Sequence, residues 1–211
     1  MEDSLYQYIL DHSDKEPELL QKLDRQTHVT TINPRMLSGH LQGRILKMIT
    51  QMVGAKTVLE LGTFTGYSAL CFAEGLPDDG IVHTIDDNDE LEEFAQGFFA
   101  QSEHGYKIVQ HIGKALEVIP TIEARFDLVF LDADKREYLE YYQAVFDKVH
   151  TGGYILADNT LWDGKVVQPV AHNDKQTIAV LEFNDFVAND PRVETVILPL
   201  RDGLTLIRKN S

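Results

Sequence analysis

Cysteine and long apolar runs are nearly absent from this 211-residue sequence. Cys71 is the only cysteine, so neither an internal disulfide nor a site built from several cysteines can form. Because it lies between Leu70 and Phe72, a small buried apolar side chain is its simplest interpretation. No apolar run approaches the ~20 residues needed to span a bilayer, and the first residues show no signal-peptide pattern. We therefore expect a soluble cytoplasmic protein without a membrane partner.

Basic residues are also few. The sequence has 19 Lys and Arg against 34 Asp and Glu, a formal charge of −15. Binding to a phosphate backbone depends on basic side chains that displace counterions, so nucleic acid is excluded as the expected partner. A hydrophobic fraction of 43% supports one sizeable core. We predict a single domain over residues 1–211, with a helical N-terminal cap at 1–51 and an α/β core at 52–211.

The stretch from Thr57 to Leu70 organises the predicted core. Its first five residues indicate a buried parallel strand, Gly62 and Gly66 indicate a turn, and a helix is predicted from Tyr67 to about Glu74. Such a turn brings backbone N–H groups and a helix N-terminus to one point, which suits a small ligand with an anionic group. The Gly-x-x-x-Gly spacing matches neither the dinucleotide fingerprint nor a phosphate loop, so an ordinary strand-to-helix connection is the alternative.

An acidic residue ends the next predicted strand, residues 80–86. Ligands in doubly wound folds bind outside the carboxyl ends of the strands, where an acid commonly binds ribose hydroxyls. Asp86, which follows Glu60 of the first strand by 26 residues, is placed for that role. The acidic run that follows Asp86 is better explained as the start of a helix, where carboxylates are favoured.

Two further strands end in polar residues. Residues 126–131 precede Asp132 and Lys135, and residues 154–157 precede Asp158 and Asn159. If these strands are neighbours, three oxygen ligands from Asp132, Asp158 and Asn159 converge, a set that suits Mg²⁺, Ca²⁺ or Mn²⁺. An Asp-Asn turn or helix cap is the alternative. Near a cation, Lys135 is a candidate general base, because like charge and desolvation favour its neutral form; alternatively, it merely begins an amphipathic helix.

Four motifs carry a resemblance to a known family. The run Glu60-Leu-Gly-Thr-Phe-Thr-Gly-Tyr-Ser68 resembles motif I of the S-adenosylmethionine-dependent O-methyltransferases of the catechol and caffeoyl-CoA type, which are cation-dependent. The similarity continues, in the family's order, through residues 130–135, 158–164 and 202–206.

The resemblance implies a role for each matched residue. It implies a cofactor pocket at Glu60 and the backbone of Gly62 and Thr63. It further places Ser68 at the methionine carboxylate, Asp86 at the ribose, Ala115 in a loop near the adenine, Asp132 and Asp134 beside the cofactor, and Ser38 in the capping segment. The segment after Ser38 departs from the family, since Gln42-Gly43-Arg44 stands where Glu-Gly-Gln is usual. Asp132 and Lys135 are the implied catalytic residues.

The expected fold is α/β: a Rossmann-like, doubly wound and mostly parallel seven-stranded sheet. Its last strand is reversed, because residues 193–209 indicate a hairpin around 199–203. Helices should cover both faces, with N-terminal helices beginning near Pro17 and Pro34. Tyr106–Ile112 is the predicted third strand.

The expected function is metal-dependent methyl transfer from S-adenosylmethionine to a hydroxyl of a small catechol-like or phenolic acceptor, in a homodimer. Mg²⁺ is the preferred metal, with Ca²⁺ or Mn²⁺ as alternatives. Two other functions stay open: a Rossmann-type oxidoreductase, which the glycine spacing disfavours, and a non-catalytic nucleoside-cofactor-binding or sensor domain.

Overall fold

A seven-stranded sheet forms the centre of the computed structural model, which describes residues 3–210. The strands are β1 (Thr57–Leu61), β2 (Ile81–Asp86), β3 (Ile108–Ile112), β4 (Phe126–Leu131), β5 (Val149–Asp158), β6 (Val193–Leu198) and β7 (Leu204–Lys209). Their order is β3-β2-β1-β4-β5-β7-β6. The first five are parallel, and β7 runs antiparallel to both of its neighbours. The predicted α/β sheet with a reversed last strand is confirmed.

Helices cover both faces of the sheet. They are α1 (Asp3–Asp11), α2 (Glu18–Thr30), α3 (Gly39–Val53), α4 (Tyr67–Gly75), α5 (Glu92–Phe99), α6 (Ala115–Val118), α7 (Tyr138–Phe146) and α8 (Lys175–Ala188). Side chains of β1 alternate between two buried clusters. Val58 packs with α2 to α5 on one face, while Leu59 and Leu61 pack with α7 and α8 on the other.

Helices α2 and α3 pack against the core through Leu20, Leu23 and Leu46, but the third N-terminal helix begins later than expected. Helix α2 follows Pro17. Pro34, however, starts only a single 3-10 turn, because Leu37 is extended and Gly39 has a φ of +75°. Helix α3 therefore begins at Gly39, and it crosses the predicted boundary between residues 51 and 52. The division into cap and core stays a prediction.

The predicted starts of strands β3 and β5 were wrong. Residues Gly105–Lys107 form a 3-10 turn, so β3 starts at Ile108 and not at Tyr106. Lys107 is buried there, and its ammonium donates to the carbonyls of Ala73 and Leu76 at the end of α4. Strand β5 begins at Val149, five residues before the predicted start, and includes an irregularity opposite β4.

In residues 3–210, no helix combines the length and apolar character that crossing a membrane requires.

Candidate active site

A cleft of about 1080 Å³ opens at the carboxyl ends of the parallel strands. It includes the point between β1 and β4 where the strand order reverses, the usual ligand site in such sheets. All but one of the residues proposed from sequence line it: Ser38, Gly62, Thr63, Ser68, Asp86, Ala115, Asp132, Asp134, Lys135, Asp158 and Asn159. Glu60 is fully buried just behind the lining.

Gly62 lets two strand ends come together. Its φ is +100°, and a Cβ atom there would lie 2.3 Å from the backbone oxygen of Asp132. Its N–H donates to Ile85 O at 2.8 Å, and the N–H of Gly66 donates to Thr63 O at 2.8 Å. These glycine amides are therefore engaged within the protein. The glycines here serve close packing, and an anionic group would have to use other donors.

Asp86 is held by two backbone amides. Its Oδ2 accepts from the N–H of Phe64 at 2.7 Å, and its Oδ1 accepts from the N–H of Asn88 at 2.9 Å. The first bond ties the glycine turn to the end of β2. The carboxylate thus has a fixed orientation at the cleft, and each oxygen keeps a lone pair for a ligand hydroxyl.

Glu60 is the most perturbed carboxyl group of the site. Thr84 donates to its Oε2 at 2.5 Å, while its Oε1 is buried without a hydrogen-bond partner. Burial raises the pKa of Glu60 from 4.5 to about 8, and the nearby hydroxyls of Ser68 and Thr84 oppose the shift. An unpartnered buried carboxyl oxygen favours a cationic group as its neighbour.

Asp134 and Ala115 differ in part from expectation. The Asp134 carboxylate caps the turn at residues 135–137 and forms an ion pair with Arg136, which lowers its pKa. Ala115 is not in a loop but begins helix α6, although it does line the cleft. The role of each residue toward a cofactor stays a prediction.

Asp132 and Asp158 lie side by side. Leu131 pairs with Ala157 in the β4–β5 register, so the next residue of each strand emerges at the same edge of the sheet. Burial raises the pKa of Asp132 to about 6, and the negative charge of Asp158 adds to the effect, against the cations of Lys135 and Arg201. The charges of the two carboxylates therefore interact directly.

Lys135 bridges this pair to the core. Its Nζ donates to Asp132 Oδ1 at 2.9 Å and to the Tyr138 hydroxyl at 2.5 Å. That hydroxyl lies 2.9 Å from Leu131 O and 3.0 Å from Asp158 O, so its proton is directed to these two strand ends. Tyr138 was not among the site residues proposed from the sequence. Its spacing of three residues from Lys135 is the sequence signal that could have indicated a shared position.

Two more residues complete the surroundings of Asp158. Gln42 Nε2 donates to Asp158 Oδ2 at 2.7 Å, and Arg201 donates to Gln42 Oε1 at 2.7 Å. The backbone N–H of Asn159 donates to Asp158 Oδ1 at 2.9 Å, and Asn159 itself has a φ of +57°. In the sequence Gln42 stands out only as a departure from the family's pattern, and no local signal indicates a role for Arg201.

The predicted metal site has only a few protein oxygen ligands. Between residues 3 and 210, no three His, Cys, Asp or Glu side chains are grouped so as to hold a metal ion. The predicted set lies outside that description, because Asn159 contributes an amide to the two carboxylates of Asp132 and Asp158. Such a set leaves further coordination positions to water or to a ligand.

The strand order, the reversed last strand and the acidic cleft define a Rossmann-like protein of the methyltransferase class. The O-methyltransferase family matches residues 10–210. The caffeoyl-CoA O-methyltransferase of Petroselinum crispum is 38% identical, with 99% of this chain and 92% of that protein covered. Caffeoyl-CoA O-methyltransferase 1 of Arabidopsis thaliana is 37% identical, with 99% and 85% covered.

Solved structures agree. The O-methyltransferase TomG from Streptomyces achromogenes, crystallised with S-adenosylmethionine, superposes with a TM-score of 0.93 at 30% identity, and both chains are covered fully. The methyltransferase PaMTH1 from Podospora anserina, bound to S-adenosylhomocysteine, gives 0.90 at 26% identity over 99% of this chain and 95% of that one. The chain belongs to the O-methyltransferase family, and the prediction of an S-adenosylmethionine-dependent O-methyltransferase is confirmed.

Proposed function

We propose that this chain methylates a hydroxyl of a small catechol-like or phenolic acceptor held beside a divalent cation, with Mg²⁺ as the first choice and Ca²⁺ or Mn²⁺ as alternatives. One observation carries the proposal: Asp132 and Asp158 end neighbouring strands in one cleft, with Lys135 Nζ 2.9 Å from Asp132 Oδ1. The cleft volume of about 1080 Å³ is at the upper end of small-molecule sites, which supports room for donor and acceptor together.

The donor set fits a hard divalent cation. Asp132, Asp158 and Asn159 offer only oxygen ligands, the kind that Mg²⁺ prefers, and a dication would relieve the repulsion between two carboxylates that Lys135 and Arg201 only partly offset. Bound there, the ion would supply Lewis-acid polarisation of the acceptor oxygens and a template for their orientation.

The remaining chemistry is assigned to the chain itself. In its neutral form, which a dication beside it would favour, the amine of Lys135 accepts the proton of the acceptor hydroxyl and becomes an ammonium, and the resulting oxygen attacks the methyl carbon of the sulfonium. The O–C bond forms as the S–C bond breaks, and the sulfonium becomes a neutral thioether. Tyr138 holds Lys135 in place through its hydroxyl, so the amine keeps one position during transfer.

The donor would be held by the other half of the cleft. Asp86 suits the ribose hydroxyls, Ser68 suits the methionine carboxylate, and the unpartnered oxygen of Glu60 suits the methionine ammonium. Ser38, Gly62, Thr63, Ala115 and Asp134 are proposed as the remaining contacts.

The test combines binding and turnover. Calorimetry should detect S-adenosylhomocysteine binding, and a panel of catechols, flavonoids and CoA thioesters should reveal methyl transfer that a chelator abolishes without loss of cofactor binding. Equal transfer with and without chelator would remove the metal from the proposal. No cofactor binding at millimolar concentration would remove the proposal altogether.

Lys135→Ala separates an enzyme from a cofactor-binding sensor. We expect it to lose most turnover while it retains cofactor binding. The matched control is Lys56→Ala, which breaks an exposed Lys–Asp ion pair with Asp79 (3.1 Å) far from the chemistry. An unchanged rate in Lys135→Ala would exclude this lysine as the base.

We also propose a homodimer, by resemblance to the family alone. Light scattering after size-exclusion chromatography measures the mass directly, and a monomeric mass would contradict it.

A further inference from the structure

Gln42 connects two distant parts of the chain at the proposed metal site. It lies on α3 with only 1% of its surface exposed. One end of its amide contacts Asp158 Oδ2 at 2.7 Å, and the other contacts Arg201 at 2.7 Å. Asp158 and Arg201 lie 116 and 159 residues away from it in sequence.

Chemistry fixes which way this amide points. A guanidinium has only N–H donors, so Arg201 requires the carbonyl oxygen of Gln42 as its acceptor. The NH₂ group of Gln42 must then face Asp158, and an ionised carboxylate accepts that bond. The orientation is therefore set by Arg201 and does not depend on telling oxygen from nitrogen.

Arg201 is itself anchored. It donates to the backbone oxygens of Leu37 and Ser38 as well as to Gln42, and its φ of +49° is one that residues other than glycine rarely adopt. These three acceptors keep the guanidinium directed at α3 and at the segment that precedes it. The contact thus joins the β6–β7 loop to the rim of the cleft.

Each Asp158 oxygen then has one fixed hydrogen-bond donor. Oδ2 accepts from Gln42, and Oδ1 accepts from the backbone N–H of Asn159. The carboxylate cannot rotate without breaking one of these bonds. Its remaining lone pairs are therefore held in one direction toward the cleft.

The neutral amide of Gln42 also affects the net charge around Asp132 and Asp158. The cations of Lys135 and Arg201 already offset part of the negative charge of Asp132 and Asp158. A glutamate at position 42, the residue usual in the family, would add a third carboxylate and could not donate to Asp158. The amide of Gln42 donates a hydrogen bond to Asp158 without adding a negative charge.

We propose that Gln42, oriented by Arg201, is a positioning residue that fixes the carboxylate of Asp158 for divalent-cation binding. The inference rests on the function proposed above. Outer partners that orient metal ligands typically change metal affinity by about 10–100-fold when removed. Gln42 would act through Asp158 and would not itself touch the ion or the acceptor.

The test measures metal affinity apart from activity. Mn²⁺ binding is followed by the electron paramagnetic resonance of the free ion, and S-adenosylhomocysteine binding by calorimetry, in wild type, Gln42→Met and Asp158→Asn. We expect Gln42→Met to weaken Mn²⁺ binding roughly 10–100-fold, in the range typical of such outer partners, with the affinity for S-adenosylhomocysteine within about twofold of wild type. Gln7→Met is the matched control, since it removes an exposed Gln–Asp hydrogen bond of 2.8 Å on α1.

The outcomes separate the two proposals. Loss of Mn²⁺ binding in Asp158→Asn with unchanged binding in Gln42→Met would overturn the inference alone. Absence of Mn²⁺ binding in wild type would overturn the metal-dependent function and the inference with it. A proportional loss of metal affinity, cofactor affinity and thermal stability in Gln42→Met would indicate a structural role and would also overturn the inference.

A double-mutant cycle tests the part played by Arg201. Arg201→Met removes the same positive charge in both backgrounds, so any difference between them reports on the orientation of the amide. Because Arg201 orients that amide, Arg201→Met should be less favourable to Mn²⁺ binding in the wild-type background than in the Gln42→Met background. Additive effects would contradict the orientation argument.

A measurement on the unaltered protein covers the case in which a variant fails to fold. The side-chain amide resonances of Gln42 should shift on titration with Mg²⁺, with the same midpoint as metal binding. Resonances that stay in place through saturation would overturn the proposal.

Discussion

Glu60→Gln is expected to change how the stability of the ligand-free protein depends on pH. The carboxyl group of Glu60 is fully buried, and its pKa rises from 4.5 to about 8. The folded protein therefore holds a proton on Glu60 at pH values where the unfolded chain has lost it. A raised carboxyl pKa means that stability is fully present below pH 4.5 and is lost as the pH rises toward 8.

The size of the effect follows from the two pKa values. One pKa unit corresponds to about 1.4 kcal/mol, so ionising Glu60 in the folded state costs on the order of 4–5 kcal/mol well above pH 8. Between pH 5 and pH 8, wild type should lose roughly 3 kcal/mol relative to Glu60→Gln. Glutamine keeps an oxygen that can accept the hydrogen bond from Thr84, so the local packing is retained.

Urea unfolding followed by far-ultraviolet circular dichroism at pH 5, 6.5 and 8 measures this difference. Asp132, whose pKa is raised to about 6, titrates in both proteins, so the comparison reports on Glu60 together with its charge interaction with Asp132. Glu123→Gln is the control, because that side chain is exposed. A constant difference in the free energy of unfolding between wild type and Glu60→Gln across this pH range would refute the claim that burial raises the pKa of Glu60.

Three further predictions concern the same cleft. If the methionine ammonium lies beside Glu60, binding of S-adenosylhomocysteine near pH 7 should release close to one proton, measured by calorimetry in buffers of different ionisation enthalpy; equal release in Glu60→Gln would contradict the contact. Gly62→Ala should be at least ~2 kcal/mol more destabilising than Gly54→Ala in urea unfolding, because only at Gly62 does the new Cβ meet the backbone of Asp132, 2.3 Å away, while Gly54 has open space. Tyr138→Phe should lower the free energy of unfolding by about 1–3 kcal/mol and slow methyl transfer, while cofactor binding is retained. An unchanged rate of transfer would show that the Tyr138 hydroxyl does not position Lys135.

The central part of the fold was predictable from sequence because its signals are local. Strands β1 and β4 have the expected bounds, since central parallel strands are continuous apolar runs and both are followed directly by glycine or aspartate. The meeting of Asp132 and Asp158 was predictable for the same reason, because parallel strands end at a common edge. Their roles as ligands stay predictions.

The errors arose where tertiary contacts overrule local pattern. Lys107 looked like part of a strand, yet its ammonium is buried against the end of α4 and a tight turn precedes β3. Gln42 and Arg201 carry no local signal of their partnership, since a hydrogen bond across 159 residues leaves no periodicity in the sequence. Such contacts become visible only when the whole sheet is assembled.

The position of β7 between β5 and β6 affects how the molecule is made. This strand is synthesised after every other strand but occupies an interior place, so the hydrogen-bonding edge of β5 has no partner until residues 204–209 leave the ribosome. Arg201 emerges only shortly before, so the contacts of α3 with the loop between β6 and β7 form after the first six strands have been made. A nascent or truncated chain would carry an open strand edge prone to association with other chains.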